Sequence, residues 1–168
     1  MICGLLMAAC SNNELDNGLE FTNDLEDVNG WSGIDHNVHT VVKGMARSGN
    51  YISKMDTVNR YGYLFRSKLS DLSDKPLKAV KVAIWANVTE VSAEALLVVA
   101  IDSLGKSILW EGQKLNEFVK KTDVWTEVLA EADLSKLKPG KDYVISVFVW
   151  NNGKSVIYTD DHRVRFVE

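Results

Sequence analysis

The stretch Tyr143-Val144-Ile145-Ser146-Val147-Phe148-Val149-Trp150-Asn151 decides the fold class. Successive side chains of a strand point to opposite faces, so Tyr143, Ile145, Val147 and Val149 form one set and Val144, Ser146, Phe148 and Trp150 the other. The first set is a core face, and the second is apolar enough to serve as a binding surface. Val80 to Asn87 repeats the pattern, with Val80, Val82 and Ile84 on one side and Lys81, Ala83, Trp85 and Asn87 on the other. Leu96 to Ile101 is apolar on both faces, as in a strand covered on each side.

Outward from these runs the same period continues. Strands are expected at His39 to Lys43, Tyr51 to Met55, Tyr61 to Leu69, Leu77 to Asn87, Leu96 to Asp102, Ser107 to Trp110, Trp125 to Ala132, Tyr143 to Asn151, Ser155 to Thr159 and Arg163 to Val167. Between them lie turn formers such as Arg47-Ser48-Gly49-Asn50, Ser103-Leu104-Gly105-Lys106 and Asn151-Asn152-Gly153-Lys154. Leu115 to Lys121 is the one segment that reads as a short helix, because Leu115, Phe118 and Val119 share a face. Twenty valines among 168 residues suit a pleated surface. The expected fold is all-β, an antiparallel β-sandwich of jelly-roll type with about ten strands and little or no helix. Its core should include Val82, Ile84, Val98, Val147 and Val149.

Composition narrows the function classes. With 19 basic and 23 acidic residues the formal charge is −4, so no net positive field draws a phosphate backbone, and no nucleic-acid partner is expected. Both cysteines, Cys3 and Cys10, precede residue 11, which leaves no pair within the sandwich to form a disulfide. Ile2 to Ala9 is apolar but much shorter than the ~20 residues of a membrane-spanning helix.

Met7-Ala8-Ala9-Cys10-Ser11 resembles the lipobox of bacterial lipoproteins. The resemblance implies a leader over residues 1–9, possession of diacylglycerol by Cys10, and a membrane-anchored protein of a Gram-negative envelope, on the periplasmic face or the cell surface. The polar segment that follows reads as a tether, giving residues 10–23 for lipidated cysteine and tether and 24–168 for the sandwich.

A second resemblance spans nearly all of the chain after Glu20. Phe21 to Trp31, the turn Ser48-Gly49-Asn50-Tyr51, the strand Val82-Ala83-Ile84-Trp85-Ala86, the segment Asp123 to Val128 and the closing Ile157 to Val164 together resemble jelly-roll carbohydrate-binding modules appended to xylanases and related glycoside hydrolases. This implies a non-catalytic module that binds oligosaccharide or polysaccharide. The alternative is a structural or protein-interaction module that holds an envelope protein partner and has no small-molecule ligand. The family's structural calcium site is implied at Asp160, although Thr22 stands where the family has a glutamate. Asp24 is an available substitute. The competing reading has Asp160 and Asp161 cap a turn.

For the ligand site, stacking on a sugar requires an aromatic plane and its hydroxyls require planar polar groups. Trp85 and Trp150, each opposite its strand's aliphatic series, are expected either to line one concave sheet with Arg66 and Asn87 or to lie under a loop and extend the core. Trp31 and Trp125 are expected as packing anchors. His36 and His39 read as a solvated pair rather than metal ligands. No nucleophile elbow or phosphate loop is present. Asp102 and Glu111 are carboxylates that a glycosidase could employ, but their spacing does not single them out, and no enzyme activity is expected.

Overall fold

The computed structural model describes residues 19–28, 31, 37–138 and 141–168. Cys10, His36 and the leader lie outside the described residues. Among the described residues ten strands form two antiparallel sheets, as the alternation predicts. They are β1 (Leu19–Asn23), β2 (Val41–Lys43), β3 (Tyr51–Met55), β4 (Phe65–Lys68), β5 (Ala79–Val88), β6 (Ala95–Ser103), β7 (Lys106–Lys114), β8 (Thr126–Asp133), β9 (Val144–Asn151) and β10 (Ile157–Val167). One sheet has the order β2-β3-β10-β5-β8, with β1 also on β10; the other has the order β4-β9-β6-β7. A four-residue α-helical turn, Leu69–Leu72, and two short 3-10 turns complete the described elements. No helix among them is long and apolar enough to cross a membrane.

Two differences from the sequence reading have physical causes. Leu19–Asn23, expected as tether, is a strand whose Leu19 and Phe21 alternate with polar neighbours and pair with Phe166 and Val164 of β10. The sandwich therefore starts at least five residues before the expected boundary at residue 24. The last two expected strands are one continuous β10, because a bulge between Asp160 and Arg163 absorbs the polar break without ending the ladder. The 3-10 turn Leu115–Glu117 confirms the helical reading there, and it buries Leu115 and Val119 completely.

The core lies between the sheets. From β5 it takes Val80, Val82, Ile84 and Ala86, from β6 Leu97, Val99 and Ile101, and from β9 Ile145, Val147 and Val149. An aromatic cluster closes one part of it: Phe65 lies 5.3 Å from both Phe21 and Trp31, and Phe166 packs on Phe65 at 6.1 Å. Tyr63 stacks on Trp31 and donates its hydroxyl proton to the Val28 carbonyl at 2.8 Å. Burial pushes that phenol up to about 12. Trp31 is thus a packing anchor, whereas Trp125 is half-buried.

Val98 was expected in this core and is fully buried, but it points outward. Its cross-strand neighbours are Phe148 and Gly112, and it is buried on the outer side of the four-stranded sheet.

Candidate functional site

Strand pairing separates the residues that the sequence had grouped together. Trp85 and Asn87 belong to β5 and point away from the core on the six-stranded sheet; Trp150 belongs to β9 and points away from it on the four-stranded sheet. The two tryptophans therefore occupy opposite outer faces of the sandwich. Alternation shows which side of its own strand a residue takes, but not which sheet receives the strand. Arg66 pairs with Ser146 and shares the Trp150 face, while Asn87 shares the Trp85 face, where its side-chain oxygen is buried with no hydrogen-bond partner among the described residues.

The Trp150 face carries an aromatic ledge. Segment 60–62 runs beside β9: Gly62 N–H donates to the Val149 carbonyl at 2.9 Å, and Asn151 N–H donates to that of Arg60 at 2.8 Å. These bonds set Tyr61 opposite Trp150, with centroids 6.5 Å apart and planes within 8° of parallel. Phe148 meets Tyr61 edge-on at 5.8 Å. Trp110 meets Trp150 edge-on at 6.2 Å from β7, two strands away. Gly112 makes room for the Trp110 indole, since a Cβ there would sit 2.9 Å from the ring carbons Cη2 and Cζ3. Tyr61 is 50% exposed and Trp110 48%, so both present ring surface to solvent.

Register completes the surface. Arg66, Ser146, Ala100 and Trp110 form one cross-strand row, and Lys68, Val144 and Asp102 the next. The small side chains of Ser146 and Ala100 leave a floor between the Arg66 edge and the Trp110 edge. Sequence reasoning missed Tyr61 and Trp110 as site residues, while Phe148 lay on the apolar second face it had marked. Tyr61 was expected to begin the strand Tyr61 to Leu69, but that strand spans only Phe65–Lys68 and Tyr61 holds a single bridge to Trp150. A readable signal for Trp110 was its place in a polar strand next to Glu111-Gly112, where an aromatic has no core to join. Asp102 and Glu111 do not face one another: their strand positions give them opposite sides of the sheet.

The Trp85 face is built differently. The Arg47 guanidinium lies 3.8 Å above the Trp85 ring centroid, and its Nη1 donates to Asp161 Oδ2 at 2.5 Å. Asp160, the cross-strand partner of Trp85, accepts the Arg47 and Ser48 N–H groups on Oδ2 at 2.8 and 3.1 Å and the Asp161 N–H on Oδ1 at 2.8 Å. The Ser48 hydroxyl donates to Asp161 Oδ1 at 2.7 Å. Burial raises the Asp160 carboxyl above its usual range, against the pull of the backbone donors. Glu26 holds the far side of the same turn, accepting the Asn50 and Tyr51 N–H groups at 2.5 and 2.8 Å, which lowers its carboxyl. Gly49 crosses between these anchors at φ 63°, a left-handed conformation that suits glycine.

Calcium does not fit this corner. The ion needs a shell of six to eight oxygens, but both oxygens of Asp160 and of Asp161 face the protein's own donors, one of them the arginine cation. Among the described residues no group of three or more His, Cys, Asp or Glu side chains is placed to hold a metal ion. Asp160 and Asp161 cap the 47–48 turn, as in the competing reading, and their occupied oxygens do not fit the calcium that the resemblance implies. The adjoining cleft, about 590 Å³, is lined by charge, with Arg163 3.4 Å from Glu127. His162, in the bulge, is turned inward against Trp31 and Tyr63 and bonds Thr159 at 3.0 Å. Burial lowers it to about 4, while His39 is exposed.

No family model and no curated protein matches the sequence. Solved structures do. The chain is similar to the CBM22-2 xylan-binding domain of Paenibacillus barcinonensis Xyn10C, at TM-score 0.55 and 14% identity over 86% of this chain and 97% of that one. It is also similar to a family 16 carbohydrate-binding module, at TM-score 0.48 and 15% identity over 74% and 82% of the two chains. A Stig cyclase from Fischerella sp. TAU matches at TM-score 0.46 and 11% identity over 88% and 83%. The first likeness shows that the fold is the jelly roll of carbohydrate-binding modules.

Proposed function

We propose that this protein is a non-catalytic glycan-binding module whose site is the outer face of the four-stranded sheet. One observation carries the reading: Tyr61, Trp150 and Trp110 form a continuous aromatic ledge, and two of the three are half exposed. Such rings accept the C–H faces of pyranose units, and Ser146 and Arg66 offer polar groups to hydroxyls beside them. A carbohydrate-binding-module fold supports the reading. The test is affinity electrophoresis of the chain through gels containing polysaccharides. Retardation by at least one polymer, lost in a Trp110→Ala/Trp150→Ala variant that remains folded, is the expected result. Free migration through every polymer would overturn the reading and return the ledge to the protein-interaction role.

The lipobox-like Met7 to Cys10 supports a second part of the proposal, that the module is tethered to an envelope membrane. Replacing Cys10 with serine should move the protein from the membrane to the soluble fraction and abolish labelling by a fatty-acid analogue. Unlabelled parent protein would refute the anchor without touching the ledge.

A further inference from the structure

The charges around the ledge run against those of the molecule. The chain carries a formal −4, yet the exposed basic side chains Arg66, Lys68 and Lys114 stand on the outer face of the four-stranded sheet, where Asp102 shares the Lys68 row. Arg66 and Lys68 follow one another on the edge strand β4, where a two-residue step puts both on one face. Glu94, at the rim beyond Leu96, is the next carboxylate along the strand. We propose that the ledge binds a carboxylate-bearing polysaccharide, a polyuronate, whose rings lie on Trp110, Trp150 and Tyr61 and whose carboxylates meet Arg66 and Lys68. This inference rests on the glycan reading above and adds the ligand class.

Geometry favours a polymer over a single sugar. Arg66 and Trp110 occupy one row across four adjacent strands, so their backbones are separated by three strand spacings, ~14 Å. One pyranose cannot touch both ends. A guanidinium presents a planar fork that matches a carboxylate, and Lys68 adds a point charge at the next position along the edge. The small Ser146 and Ala100 between the ends leave the chain of sugars room to cross.

Alginate and polygalacturonate, each paired with its carboxyl-reduced neutral counterpart, test this on the full chain by affinity electrophoresis and calorimetry. Binding to at least one polyuronate should exceed that to its reduced form about tenfold and weaken as salt is raised from about 50 to 500 mM, as screening requires. An Arg66→Gln/Lys68→Gln variant should lose that preference and bind the charged and the reduced polymer alike. Equal binding of charged and reduced polymers, or an unchanged preference in the variant, would overturn the ligand class and leave the glycan ledge standing. Dextran sulfate that binds as tightly as the polyuronates would overturn the carboxylate assignment. Loss of all polysaccharide binding in the parent would overturn the glycan reading itself.

Discussion

Trp85 and Trp150 have nearly the same sequence signature and opposite surroundings. Each follows an aliphatic run on a long strand and points away from the core. Trp85 lies under the Arg47 guanidinium in a corner where Asp160 and Asp161 face protein donors. Trp150 lies between Tyr61 and Trp110, with aromatic neighbours and open floor. The difference is that a cation of the protein's own corner covers the Trp85 ring, whereas Trp150 belongs to a row of rings whose outer members, Tyr61 and Trp110, stay half exposed. One corner holds the fold, and the other face carries the proposed site.

Breaking the corner should cost stability first. Asp160→Ala leaves three backbone N–H groups without their acceptor and frees the 47–48 turn, a loss on the order of 3 kcal/mol in chemical denaturation. Glycan binding by the surviving folded fraction should be unchanged. A variant as stable as the parent would show that the turn is held by Glu26 alone.

The buried His162 extends this to pH. Its folded value near 4 lies below the ordinary 6.5, so the unfolded chain binds the proton first as pH falls. Its contribution is fully present above pH 6.5 and declines between pH 6.5 and 4, by up to ~3 kcal/mol for a shift of this size. Comparing the stability profiles of the parent and His162→Gln should isolate that slope. Parallel profiles would mean that the imidazole is not buried in its neutral form.

On the ledge the expected costs move from stability to binding. Trp150→Ala should weaken glycan affinity by about 2 kcal/mol in calorimetry, as removal of an aromatic anchor does. Trp85→Ala should leave affinity unaltered and lower stability by ~1 kcal/mol through loss of the partly exposed cation–π contact. A binding defect in the Trp85 variant would erase the distinction between the two faces. The subtlest probe is Gly112→Ala, in which the new methyl group displaces the Trp110 indole and weakens binding without touching the ligand.

What the sequence revealed follows from what is local in a sheet. Strand positions and the two sides of each strand are written in the alternation of Val80 to Asn87 and Tyr143 to Asn151, and the core valines were legible from them. Sheet membership is not local: the pairing of β5 with β10 and of β9 with β6 puts Trp85 and Trp150 on opposite faces, and neither strand's own pattern specifies it. Tyr61 joins the ledge through contacts to a strand some ninety positions on, and Trp110 through a partner two strands away. The Asp160 corner was half legible. The motif showed its acidic pair, but only the docked 47–48 turn reveals that donors fill its oxygens.

Five indole N–H groups make the central claim directly observable, one each from Trp31, Trp85, Trp110, Trp125 and Trp150. Assigned nitrogen–proton correlation spectra recorded while oligosaccharides of the bound polymer are titrated should show the Trp110 and Trp150 signals moving together, with Trp85 and Trp31 stationary. Movement of Trp85 with Trp110 and Trp150 fixed would place the ligand on the opposite face and contradict the account.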